Sequence, residues 1–76
     1  MNNKSENEQQ LQYIKEELEM VEKIIRELGP KTQICECCFS PNPSTDQGYT
    51  TCCNELVYSA SEMKSELIHR QSYWQN

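Results

Sequence analysis

Cys35-Glu36-Cys37-Cys38-Phe39-Ser40-Pro41-Asn42-Pro43-Ser44-Thr45-Asp46-Gln47-Gly48-Tyr49-Thr50-Thr51-Cys52-Cys53 holds all five cysteines of a 76-residue chain. Thiols gathered so tightly point to one local site rather than to bridges scattered through a scaffold. A chain of this length buries only about 60 % of the surface its unfolded form exposes. Below roughly 80 residues a core seldom supplies more than ~3–5 kcal/mol, so disulfides, a metal or a partner chain must staple it. The odd number of cysteines leaves one over from any closed set of disulfides. The opening Met-Asn-Asn-Lys-Ser-Glu-Asn-Glu-Gln-Gln contains no apolar run, so no secretory signal is read. No apolar stretch approaches the ~20 residues needed to cross a bilayer. The expected compartment is a reducing cytoplasm, where clustered cysteines are ligands or catalysts more often than disulfides.

Tetrahedral zinc takes four thiolate or imidazole ligands at about 2.0–2.3 Å, commonly delivered in pairs from two turns. Cys35 and Cys38 have the C-x-x-C spacing with which one tight turn aims two sulfurs at a point. Cys52 and Cys53, separated from Cys38 by 13 residues, are the expected second pair, brought alongside by a β-hairpin. Adjacent residues of a regular strand face opposite ways, so this pair can share an ion only where the backbone turns. Asn54 tolerates the left-handed conformation such a turn requires. The expected metal ligands are therefore Cys35, Cys38, Cys52 and Cys53, with Cys37 spare. In one permutation Cys37 replaces Cys35, and in another His69 replaces one of the adjacent pair. The expected ion is structural zinc, with an iron–sulfur cluster or merely structural or redox thiols as the alternatives.

Outward from this segment the chain turns helical on both sides. Residues 5–28 place Leu11, Ile14, Leu18, Val21, Ile25 and Leu28 at spacings of 3, 4, 3, 4 and 3, the a and d positions of a heptad. Ser5 and Glu8 form a capping-box pattern at its start, and Gly29-Pro30 ends it. Residues 59–75 form the second helix, opened by a Ser59–Glu62 capping box, with Ala60, Met63, Leu67, Arg70 and Trp74 on one face. In a parallel homodimer of the first helix, Glu17 would meet Glu22 of the other chain, a repulsive pair. An intramolecular antiparallel hairpin instead sets Leu28, Ile25, Val21, Leu18, Ile14 and Leu11 opposite Leu56, Ala60, Met63, Leu67, Arg70 and Trp74. That register brings Glu22 to Lys64, and the hairpin is preferred. Met20, Ile24, Tyr13 and Ile68 lie beside the seam, which leaves both a monomer and a homodimer through the helices open.

Between the helices, residues 29–58 form the zinc-binding segment. Thr32-Gln33-Ile34, Tyr49-Thr50-Thr51 and Leu56-Val57-Tyr58 are β-prone, and residues 40–48 are dense in turn formers. The expected fold is a mainly α single domain over residues 1–76: a two-helix antiparallel coiled-coil-like hairpin joined by a small zinc-binding β-hairpin, a zinc-ribbon-like knuckle. No internal repeat is read.

The formal charge is −5 overall, with −3 in residues 1–28, −2 in residues 29–58 and 0 in residues 59–76. Nucleic-acid modules need Lys and Arg to displace counterions from phosphates, and an acidic cysteine segment lacks that footprint. A nucleic-acid-binding zinc ribbon, with Phe39, Tyr49 and Tyr58 stacking on bases, is the weaker expectation, and a self-assembling coiled-coil scaffold is another. An enzyme is not expected: HExxH and His-x-Glu patterns are absent, and His69 is the only histidine. The leading reading is a small acidic zinc-binding regulatory or adaptor protein acting through protein–protein interaction, of the kind phages and plasmids carry.

The Cys35-Glu36-Cys37-Cys38 pattern, the Pro-Asn-Pro turn, Thr51-Cys52 and the polar helix ending His69-Arg70-Gln71-Ser72-Tyr73-Trp74 resemble the zinc-finger half of the DksA/TraR family. The heptad-patterned helix running into the finger is similar too. The resemblance implies a zinc-stabilised helical regulator of transcription, with bacterial RNA polymerase as its protein partner. In the family pattern a second C-x-x-C completes the finger. Here Cys52 matches its first cysteine, but Glu55 stands at the second, and the spacer is shorter. The acidic tip used by the family has no counterpart beyond Glu6 and Glu8.

Overall fold

The computed structural model describes residues 3–75, and the side chains of residues 6–75. Two helices and two small antiparallel sheets follow one another as α1 (Asn3–Leu28), β1 (Gln33–Cys35), β2 (Thr45–Asp46), β3 (Tyr49–Thr50), β4 (Val57–Ser59) and α2 (Ala60–Gln75). Most of the chain is helical. At 1.5 Å per residue the 26 residues of α1 span about 39 Å, which accounts for most of the 43 Å longest dimension. No described helix is long and apolar enough to cross a membrane.

Helix α1 begins at Asn3, ahead of the expected start, so Ser5 lies inside the helix instead of at its cap. The Ser5 side chain is outside the described ones. The C-terminal stop is as the sequence dictates. Gly29 takes φ 107°, a conformation open to glycine and strained for other residues. Its N–H donates to the carbonyls of Ile24 and Ile25 at 3.2 and 3.0 Å, and the Thr32 hydroxyl donates to the Leu28 carbonyl at 3.0 Å. The orphan carbonyls of the last turn are thereby partly satisfied. The same turn receives the start of α2: Ala60 N–H donates to Thr32 O at 2.7 Å and Ser61 N–H to Pro30 O at 3.0 Å.

Helix α2 opens on a complete capping box. Glu62 N–H donates to Ser59 Oγ at 3.1 Å, and Ser59 N–H returns to Glu62 Oε1 at 3.0 Å. We expect Ser59→Ala to cost about 1 kcal/mol, the usual toll of an N-cap deletion. A thermal melt unchanged by that substitution would mean that the box carries no stability.

The strands pair differently from the expected hairpin. β1 pairs with β4, Ile34 opposite Tyr58, while β3 pairs with β2. The loop between β2 and β3 is Gln47-Gly48, with φ of 55° and 88°. Positive φ at both residues is what a two-residue hairpin turn needs to match strand twist. It folds Tyr49–Thr50 back on Thr45–Asp46, inside the stretch read from sequence as turn, so β3 takes β2 and not β1 as its ladder partner. On its other side β1 meets the chain just beyond the first cysteine turn, through an Ile34–Pro41 bridge and the Asn42 N–H to Gln33 O bond at 2.7 Å.

The core joins both helices to the cysteine segment. Ile14 and Val21 of α1, Ile34 of β1, Phe39, and Ala60, Met63 and Leu67 of α2 form one buried cluster, flanked by Leu18, Ile24, Ile25, Tyr58 and Trp74. Lys64 lies 3.5 Å from Glu22, the pair expected of an antiparallel register. Both partners are near half exposed, so the bridge is worth only ~0–1 kcal/mol. The heptad stripes fail at their ends. Leu28 and Leu56 are exposed, because residues 57–59 are strand and α2 begins only at Ala60. Arg70 leaves the seam for Glu66 on its own helix, Nε to Oε2 at 3.0 Å.

Candidate metal centre

Two tight turns build the site. The first follows β1. Cys35 N–H donates to Ser40 O at 3.1 Å, and Phe39 N–H closes back on Cys35 O at 3.0 Å. Phe39 sits at φ 64°, a strained choice for a bulky residue, held by burial of its ring in the core. The second turn follows β3, where Asn54 N–H donates to Thr50 O at 2.8 Å and Asn54 sits at φ 55°. This is the backbone turn that adjacent ligands require, at the residue expected to supply it.

The sulfurs of Cys35, Cys38, Cys52 and Cys53 all lie within 4.8 Å of one another, a group that can hold a metal ion. Cys38 and Cys52 approach to 3.5 Å, Sγ to Sγ, and no disulfide joins any of the five cysteines. Cys35 is buried and Cys53 half-buried, whereas Cys38 and Cys52 face solvent. Cys37 is exposed and stands outside the group. His69 is exposed as well. It lies nine residues into α2, about 13 Å along the axis from Ala60, and it is not among the clustered ligands.

The surrounding donors sort the thiols into two kinds. Burial opposes ionisation of Cys35, but hydrogen bonds from the Thr50 hydroxyl and from the N–H groups of Cys38 and Cys37 outweigh it. The thiol is drawn down from 9.0 to about 6. Cys38 is lowered too, first by the Ser40 hydroxyl, 3.2 Å away, and then by the Ser40 backbone. Thr50 favours the Cys52 thiolate, yet the Cys38 sulfur, burial and Cys35 together raise it. Cys53 is raised, chiefly by Cys37 and then by Cys38, since a protonated Cys53 can donate to these sulfurs. The surroundings thus favour the thiolate at Cys35 and Cys38 and the thiol at Cys52 and Cys53, and a bound cation would displace thiol protons.

Thr50 is buried at the centre of this arrangement. Its Oγ1 accepts the N–H of Cys53 at 3.4 Å and that of Glu55 at 3.1 Å. Those bonds occupy both acceptor sites of a hydroxyl, leaving its O–H for Cys35 Sγ at 3.5 Å. We expect Thr50→Val to strand two N–H groups and lower stability by about 1–3 kcal/mol, with Thr50→Ser recovering most of the loss. Equal denaturation midpoints for the two variants would overturn that role. Nothing in the sequence spacing singles out Thr50 or Ser40, because short hydroxyl residues near cysteines are common in turns.

No family model, curated protein or solved structure matches this chain.

The aromatic residues that would have served a nucleic-acid platform are divided. Phe39 is in the core and Tyr58 packs against it, which leaves Tyr49 as the exposed member of the three.

Proposed function

We propose that this protein is a zinc-stapled helical interaction module, a small acidic regulator or adaptor that works by binding another protein. The observation that carries the reading is the convergence of four sulfurs within 4.8 Å on the segment joining the helices. Bonds of ~2.3 Å in a tetrahedron place sulfurs about 3.8 Å apart, so a single ion of zinc's size fits with little adjustment. An iron–sulfur cluster would instead spread the same four sulfurs over several irons. Four thiolates leave no open position for water, which makes the zinc structural. On this reading the zinc-ribbon-like knuckle clasps an antiparallel coiled-coil-like hairpin, whose seam runs from Ile14 to Ile25 on α1 and from Ala60 to Leu67 on α2. The net charge of −5 suits a basic protein surface, and bacterial RNA polymerase is the partner that the DksA/TraR resemblance implies.

Native mass spectrometry of protein purified without added metal tests the centre: one zinc per chain is expected, and a metal-free or iron-loaded chain overturns it. Fluorescence anisotropy of the labelled protein with purified bacterial RNA polymerase tests the partner, and no binding at moderate salt removes it. Tyr13, Met20 and Ile68, each near half exposed on the helices, favour self-association as a second reading. Sedimentation at two concentrations separates a dimer from a monomeric regulator.

A further inference from the structure

The two cysteine turns are one motif used twice. In the first, Cys35 N–H donates to the carbonyl five residues on, at 3.1 Å; in the second, Thr50 N–H donates to Glu55 O, also five residues on, at 2.7 Å. In each the fifth residue donates its N–H back to the carbonyl of the first, Phe39 to Cys35 at 3.0 Å and Asn54 to Thr50 at 2.8 Å. That fifth residue is left-handed both times, φ 64° at Phe39 and 55° at Asn54. Each turn begins on the last residue of a strand, Cys35 of β1 and Thr50 of β3, and each first residue is buried. Each also receives an N–H of its own turn on the side-chain heteroatom, from Cys37 to Cys35 Sγ and from Cys53 to Thr50 Oγ1, both 3.4 Å.

Laid on one another, Cys35-Glu36-Cys37-Cys38 matches Thr50-Thr51-Cys52-Cys53. Cys38 and Cys53, the fourth residues, are both in the sulfur cluster. The first residue is a cluster sulfur in one turn and a hydroxyl in the other. The third is the spare Cys37 in one turn and the clustered Cys52 in the other. We propose that Thr50 occupies the first-ligand position of a second knuckle, and that Cys52, from the third position, supplies the sulfur this position lacks. The Thr50 oxygen is 3.5 Å from Cys35 Sγ, close to the ~3.8 Å between sulfurs on one zinc, so a thiolate placed there reaches the same ion. This accounts for both oddities of the cysteine pattern. The adjacent pair replaces a second C-x-x-C, and Cys37 is the first turn's copy of the substitute position, idle because Cys35 is present.

The inference rests on the metal-centre reading, and cobalt(II) titration of the 76-residue protein separates the two. Wild type is expected to show the charge-transfer absorption of four thiolates on cobalt; its absence overturns the metal reading itself. C52S should fall to three-thiolate intensity, with affinity reduced at least as much as the ~10–100-fold typical of losing an outer-shell partner. C37S should keep the wild-type spectrum. T50C/C52S should regain both the four-thiolate intensity and the affinity lost in C52S. The proposal falls if wild type binds but T50C/C52S stays at three-thiolate intensity, or loses its helical circular dichroism. It falls equally if C37S weakens the site as C52S does, or if C52S leaves the site unchanged.

Discussion

Excess chelator is expected to collapse the amide dispersion of residues 33–59 in an NMR spectrum and to lower helicity with it, on the proposal that zinc fills the four-cysteine centre. The size of the effect follows from what else holds this segment. Its strands are two or three residues long, and isolated hairpins of that kind are marginal in water. Structural zinc contributes apparent free energies of ~10–16 kcal/mol in finger peptides near neutral pH. A core of this size seldom supplies more than ~3–5 kcal/mol. Ile34 and Phe39 carry the loss into the helices, since both belong to the same buried cluster as Val21 and Leu67. Acidification should act in the same direction, because protons compete with the metal for thiolates. Full retention of dispersion with the metal demonstrably removed would sink the idea that the ion holds the fold.

What could be read in advance, and what could not, divides along one physical line. Gly29 and the Ser59–Glu62 pair are legible because each satisfies backbone groups within one turn of chain, so sequence neighbours suffice. The four clustered cysteines are legible for a related reason: ligand chemistry admits few residue types, and the C-x-x-C spacing fixes a turn. The strand pairing is different. It was decided by two residues, Gln47 and Gly48, whose positive φ values fold β3 onto β2 within a stretch already crowded with turn formers. The burial of Phe39 was equally hidden, because a large aromatic residue at positive φ is what propensity argues against. The repeat of the two turns could not be seen as a repeat, since it equates a sulfur with a hydroxyl and a phenylalanine with an asparagine. Backbone hydrogen bonds reveal that likeness, and residue names conceal it.

Leu67→Ala is expected to be the most damaging single change outside the cysteines, and its neighbour supplies the control. Leu67 is 0 % exposed, whereas Ile68, the next residue of α2, is 47 % exposed. Both are branched four-carbon side chains on one helix, so propensity differences are small. Truncating a buried leucine costs ~2–5 kcal/mol from lost transfer energy plus the cavity left behind. For a domain of 60–100 residues each 1 kcal/mol shifts Tm by roughly 4–8 °C, so L67A should melt at least about 8 °C lower. I68A should stay within about 0.5 kcal/mol of wild type, as surface changes generally do. The contrast reads out the α1–α2 seam itself, because Leu67 shares its cluster with Ile14 and Val21. Melts in which both variants fall equally would mean that the helices are not held together by this face.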